Sequence, residues 1–133
     1  MYKGSCLCGT VQYEIQGEIG DGFYCHCQRC RKANGSAFAS NALIEPDSFK
    51  LVHGAEHFKK FFNEETGLER YFCQNCGSPI LSKRPATGRT SIRLGTLDTK
   101  LAKGPKAHIF VDSKAEWTEI TDDLPRFSEM PTL

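Results

Sequence analysis

Cys73-Gln74-Asn75-Cys76-Gly77 is a C-x-x-C followed by glycine. That spacing makes a tight knuckle, which aims two thiolates at one metal ion while its backbone N–H groups face the sulfurs. Two further clusters lie upstream, Cys6-Leu7-Cys8 and Cys25-His26-Cys27-Gln28-Arg29-Cys30. A C-x-C on extended chain places residues i and i+2 on one face, so its thiolates can also converge on a tetrahedral ion. There are seven cysteines, and seven divides as four plus three. Cys25, Cys27 and Cys30 are near enough in the chain to wrap a single ion, which leaves Cys6 and Cys8 to complete a four-sulfur site with Cys73 and Cys76. This pairing closes a long loop in a domain otherwise short of core. A competing partition gives Cys25, Cys27 and Cys30 a fourth sulfur from the C-x-x-C and strands Cys6 and Cys8 as spare thiols.

Outward from the cysteines, apolar residues alternate with polar ones in Thr10–Ile15, Phe49–Val52, Thr90–Leu94 and Ala107–Val111, the period of half-buried strands. Turn signals punctuate the chain between them: Gly20-Asp21-Gly22, Glu45-Pro46-Asp47, Thr66-Gly67, Ala86-Thr87-Gly88 and Lys103-Gly104-Pro105. No long 3.6-period stripe competes. Helical turns are expected only after Cys27, through Lys32, and near Leu97 to Leu101. The predicted fold is mainly β, small sheets stapled by zinc with very little helix. The tail from Lys114 to Leu133 holds the one tryptophan, Trp117, and Trp117 and Phe127 are expected to pack back on a sheet as core anchors, with the chain fraying at its end.

Composition narrows the class. A chain of 133 residues with 39% hydrophobic content is enough for one packed domain, residues 1–133, and too little for two comfortable cores. Seventeen Lys+Arg against sixteen Asp+Glu give a net charge of +1, without the basic excess that binding a phosphate backbone needs, so nucleic acid is not the expected partner. The start runs straight into cysteine and glycine with no apolar segment, and no run approaches a membrane span, so a soluble, cytoplasmic protein is expected, with no membrane partner. An odd cysteine count without an export signal argues for metal ligation over a disulfide scaffold. The sequence leaves a homo-oligomer open.

A four-ligand zinc site is closed and structural, whereas three protein ligands leave a position for water or substrate. The three-cysteine cluster is therefore the expected catalytic centre. Two zinc ions that only hold the fold together, with His26 or a buried water as fourth ligand of the second, are the alternative. His26 lies between two ligands on extended chain, so its ring is expected on the opposite face, a neighbour of the site. Three thiolates leave a zinc site with a net charge of about −1, better matched to soft ligands than a tris-histidine site. An exogenous thiol is the natural fourth ligand, held as thiolate and reactive toward an aldehyde. Arg29, Arg31 and Lys32 offset the charge and can meet the carboxylates of a peptide thiol, or else form a solvated basic turn. Asn34-Gly35-Ser36-Ala37-Phe38 supplies small residues where a substrate can approach.

Gly4-Ser5-Cys6-Leu7-Cys8-Gly9, Tyr24-Cys25-His26-Cys27-Gln28-Arg29-Cys30-Arg31-Lys32 and Phe72-Cys73-Gln74-Asn75-Cys76-Gly77 together resemble the glutathione-dependent formaldehyde-activating enzyme family, also called the centromere protein V family. The tail, with His108-Ile109-Phe110-Val111, Trp117 and Leu124-Pro125-Arg126-Phe127, is similar to that family's ending. The resemblance implies a β-tent fold, a structural zinc on Cys6, Cys8, Cys73 and Cys76, and a second, catalytic zinc on Cys25, Cys27 and Cys30. It implies carbon–sulfur lyase chemistry joining formaldehyde to glutathione. Substrate contacts are expected from His26, Arg29, Arg31, Lys32 and Ser36. The alternatives are a non-enzymatic zinc or thiol carrier that responds to oxidation, and an interaction module with two inert zincs.

Overall fold

The alternation around Tyr13 becomes a strand whose inner face is sealed: Tyr13 and Ile15 are buried while Gln12 is exposed. The structure, a computed structural model, describes residues 1–131. In chain order the elements of the described residues are β1 (Tyr2–Ser5), β2 (Gln12–Ile15), β3 (Gly22–Cys25), α1 (Gln28–Asn34), β4 (Ala39–Ile44), β5 (Phe49–His53), β6 (Phe58–Asn63), β7 (Leu68–Cys73), β8 (Pro79–Arg84), β9 (Arg89–Arg93) and β10 (Ala107–Ile109), with three 3₁₀ turns between them and a fourth, Val111–Ser113, after β10. The fold is mainly β. All four segments that alternate in the sequence carry strands, shortened by one or two residues at an end or extended by one. Ala107–Val111 stops at Ile109 because Phe110 turns into the left-handed region, φ 56°.

The chain packs as two compact units, Met1–Gly20 with Ala42–Ala102, and Asp21–Asn41 with Lys103–Leu133. In the first, β1, β2 and β5 form an antiparallel sheet with Gly4 opposite Tyr13 and Tyr13 opposite Leu51. Gly4 has no room for a side chain, since a Cβ there would stand 2.1 Å from the Tyr13 ring. β6 to β9 form an antiparallel meander, each strand beside the next. An aromatic row, Tyr13 on Phe49 at 5.1 Å, Phe49 on Phe58 at 5.9 Å and Phe58 on Tyr71 at 5.0 Å, packs against a core of Val11, Ile15, Ile80 and Ile92.

The segment Leu97 to Leu101 is not helical, contrary to the sequence expectation. A 3₁₀ turn covers Leu94–Thr96, and Leu97 then bridges to Gly4. The N–H groups of Asp98 and Thr99 both donate to the Lys3 carbonyl, at 2.8 and 3.2 Å. A free strand edge competes for those backbone groups and outbids the local helical bonds of so short a stretch.

In the second unit β3 and β10 pair in parallel, Tyr24 beside His108 and Cys25 beside Ile109. The tail adds itself to β10: His108 N–H donates to the Pro125 carbonyl and Phe127 N–H to the His108 carbonyl, each at 2.9 Å. Phe23, Cys25, Cys30, Ala39, Ala107 and Ile109 make its core. Trp117 is not an anchor as expected: it is 66% exposed, and Phe127 is 37% exposed, docked by its backbone more than by its ring. The end of the tail, where fraying is expected, lies partly outside the described residues.

Candidate functional site

The seven thiols gather into two groups, Cys6, Cys8, Cys73 and Cys76 in one and Cys25, Cys27 and Cys30 in the other, with the sulfurs of each group within 4.8 Å of one another. None is in a disulfide. Four sulfurs around zinc at about 2.3 Å sit about 3.8 Å apart. Cys6 to Cys8 at 3.5 Å, Cys8 to Cys73 at 3.8 Å and Cys25 to Cys27 at 3.5 Å therefore match the edge lengths of a tetrahedral ion's shell. The donor sets fit zinc.

Cys6-Leu7-Cys8 is a turn rather than the extended chain expected from its spacing. Gly9 N–H donates to the Cys6 carbonyl at 3.0 Å, much as Gly77 N–H donates to the Cys73 carbonyl at 2.7 Å, and both glycines have positive φ, 80° and 83°. Two similar knuckles thus face each other, each needing glycine to close. The backbone N–H of Val11 points at Cys6 Sγ from 3.2 Å. Asn75 Nδ2 donates to Cys8 Sγ at 3.3 Å across the two knuckles, and the Thr10 hydroxyl lies at 3.3 Å from the same sulfur. Thr10 first, then Asn75, holds the Cys8 thiol down to about 5. Burial pushes Cys76 up, but its bonds with Ser78, together with contacts with Cys8 and Cys73, bring it down to about 7. Burial lifts Cys73 to about 11. Thr10, Asn75 and Ser78 carry no metal-ligand signature, so ligand spacing alone does not single them out.

The three-sulfur group is built by a strand end and a helix start. Cys25 ends β3; Cys27, with φ −63° and ψ 150°, is the N-cap of α1, and its sulfur accepts the N–H of Cys30 at 3.3 Å. Gly35 ends α1 in the left-handed region, its N–H on the Arg31 carbonyl. The contacts with Cys27 and Cys30 together with burial push the Cys25 thiol up. For Cys27 the contact with Cys25 lowers it, but Cys30 and burial leave it raised. Thiols crowded this way resist ionising until a cation joins them. Among the described residues this group offers three ligand atoms and no fourth, which leaves a tetrahedral ion one open position.

His26 is fully buried. Its Nε2 meets His108 Nδ1 at 2.8 Å, and His108 Nε2 meets Asp122 Oδ2 at 2.9 Å. With both rings neutral, Asp122 accepts from His108 Nε2, so His108 Nδ1 accepts and His26 Nε2 donates. Burial, then His108, lowers the His26 pKa to about 4, and its Nδ1 is buried without a partner. Expected as a substrate contact, His26 has no exposed surface in this structure. Arg31, Lys32 and Ser36 line one cavity of about 250 Å³ together with Gln28, Gly35 and Trp117; Arg29 is exposed on α1 outside that lining. Arg31 Nη1 donates to the Ser113 carbonyl at 2.9 Å.

Residues 1–113 match the family described as glutathione-dependent formaldehyde-activating enzyme. The chain belongs to this family. Similar proteins lie at several distances. A Halomonas elongata protein named as a candidate enzyme of this kind is 32% identical, over 90% of this chain and 81% of its own length. Proteins of the same name from Aspergillus flavus and Aspergillus oryzae are each 23% identical over 84% of this chain, which spans 61% of their length. A crystal structure of a Rhodobacter sphaeroides protein shares the fold, with a TM-score of 0.63 at 23% identity over 77% of this chain and 97% of that one. In this formaldehyde-activating family member Trp117 is the lining residue that the sequence reading placed elsewhere; its signal was its being the sole tryptophan, set in a polar tail.

Proposed function

We propose that the chain is a zinc-dependent enzyme of the carbon–sulfur lyase type, acting on the adduct of glutathione, or another small thiol, with a small aldehyde. S-(hydroxymethyl)glutathione is the reference adduct, a choice supported by the family description and the relatives' names. The observation that carries this reading is the group of Cys25, Cys27 and Cys30, three ligand atoms within 4.8 Å where a fourth, soft ligand completes the tetrahedron. Zinc held there would keep a thiol ionised at neutral pH. Cys6, Cys8, Cys73 and Cys76 would hold a second, structural zinc, and residues 1–133 would work as a single zinc-binding domain of the β-tent type.

The reaction balances without an outside oxidant. The sulfur's electron pair forms the bond to the carbonyl carbon, the C=O π bond breaks toward oxygen, and the proton lost by the thiol ends on that oxygen; reversal returns thiol and aldehyde. Arg31 and Lys32 supply cations for the two carboxylates of a peptide thiol, with Arg29 adding charge on the same helix and the Ser36 hydroxyl beside them. Clustered cysteines used as metal ligands rather than as a disulfide framework fit a reducing, cytoplasmic setting, and no helix of the described residues is long and apolar enough to cross a membrane.

Exchange NMR on S-(hydroxymethyl)glutathione, with wild type, Cys25→Ser and no protein side by side, tests the reading, since the adduct also forms spontaneously. Wild type is expected to accelerate exchange in both directions and Cys25→Ser to fall to the uncatalysed rate. Equal rates in all three samples, with no glutathione binding by calorimetry, would leave a non-enzymatic zinc or thiol carrier.

A further inference from the structure

Trp117 is the only tryptophan of the chain and is 66% exposed. A lone apolar side chain on a surface is ordinary; what sets this one apart is how it is held and what it faces. It stands in the turn Ala115-Glu116-Trp117-Thr118, closed by Thr118 N–H on the Ala115 carbonyl at 3.3 Å, with Ala115 itself fully buried. Lys114 Nζ donates to the carbonyls of both Ala115 and Thr118. Arg31 Nη1 ties α1 to Ser113, two residues before this turn. The indole is thus displayed on a fixed turn, so a ligand meeting it spends little entropy on ordering the loop.

It faces the side of α1 made by Gln28, Arg31 and Lys32, at i, i+3 and i+4, across the cavity of about 250 Å³. Cys27 caps the same helix, four residues before Arg31. An aromatic wall, two cations, a carboxamide and a hydroxyl are the groups that hold a short anionic peptide: indole against its apolar and amide surface, guanidinium and ammonium toward its carboxylates. The cavity lies just below the usual range for small-molecule sites, about 300–1,000 Å³, a size for part of a tripeptide.

We propose that Trp117 is a specificity-determining residue, the wall of a subsite that holds the peptide part of the thiol substrate against Arg31 and Lys32. This rests on the reading of the three-cysteine group as a thiol site, and it adds what selects a peptide thiol over a simple one. The indole contributes to holding the peptide and nothing to holding the sulfur.

Tryptophan emission and calorimetry on the zinc-loaded protein test this with three probes. Glutathione carries both thiol and peptide; S-methylglutathione keeps the peptide without a free thiol; 2-mercaptoethanol has a thiol alone. Glutathione and S-methylglutathione are expected to change the emission of Trp117, and 2-mercaptoethanol is not. In Trp117→Ala glutathione should bind about tenfold more weakly with 2-mercaptoethanol unchanged, and Trp117→Phe should recover most of the loss. Equal glutathione affinity in wild type and Trp117→Ala, or saturation by glutathione without a change in emission, overturns the proposal while leaving the thiol site standing. Tryptophan-dependent binding of S-methylglutathione with no binding of 2-mercaptoethanol supports the subsite and sinks the thiol site. Binding of none of the three probes overturns both.

Discussion

Tyr13 shows how much one side chain can commit the first unit. It is 1% exposed, stacks on Phe49, lies where Gly4 leaves room for it, and its hydroxyl meets Thr96 Oγ1 at 2.7 Å. Burial pushes its phenol up to about 12 from an ordinary 10. The unfolded chain then loses this proton before the folded one does, so stability is intact below about pH 10 and falls as pH rises toward 12, by roughly 1.4 kcal/mol per pH unit. Urea unfolding at pH 9, 10 and 11 should show that slope in wild type and a shallower one in Tyr13→Phe. An identical slope in the two proteins would mean that Tyr13 ionises in the fold as freely as in solution. Tyr13→Phe should itself cost about 1 kcal/mol at pH 7, the worth of one hydrogen bond.

At the scale of elements, β10 is a junction: β3 on one side, the returning tail on the other, and His108 between His26 and Asp122. Removing the imidazole leaves His26 Nε2–H buried with no acceptor, which costs more than the lost bond. His108→Ala is expected to lower the unfolding free energy of the metal-loaded protein by about 1–3 kcal/mol beyond the loss of packing. His108→Asn, whose carboxamide oxygen can accept in place of Nδ1, should recover part of it. Asp122 is about half exposed, so water replaces its carboxylate and Asp122→Asn should cost less than His108→Ala. Melting temperatures of the three variants check the order; His108→Ala melting with wild type would remove the buried chain from any account of stability.

For the whole molecule the two sulfur groups carry different weight. Cys6, Cys8, Cys73 and Cys76 join chain positions some seventy residues apart, and a structural zinc contributes on the order of 10 kcal/mol in small metal-dependent domains. Native mass spectrometry of anaerobic protein is expected to show two zinc ions per chain, one removed more readily by a chelator. Cys73→Ser should be insoluble or unfolded, while Cys25→Ser should stay folded with a single zinc. A lower melting temperature for Cys25→Ser than for Cys73→Ser would reverse the roles of the two groups.

Within each cluster the convergence of the thiols was legible in the sequence because ligand spacing is a local property: Cys73 and Cys76, or Cys25, Cys27 and Cys30, are brought together by one turn each, whereas Cys6 and Cys8 meet Cys73 and Cys76 only in the fold. The four alternating strands were legible for the same reason, and so was the helical turn after Cys27, where a cap and a glycine stop bracket seven residues. Tertiary structure alone decided the rest. Leu97–Leu101 gave up a helix to the edge of β1, and Cys6-Leu7-Cys8 became a knuckle facing another knuckle. Trp117 left the core to face Arg31 and Lys32. His26, His108 and Asp122 are separated by 82 and 14 residues, and no periodicity or motif links them; only the folded chain brings the two imidazoles and the carboxylate together. Backbone donors and buried polar atoms must find partners wherever the fold brings them, and that requirement acts through space, where local sequence pattern is silent.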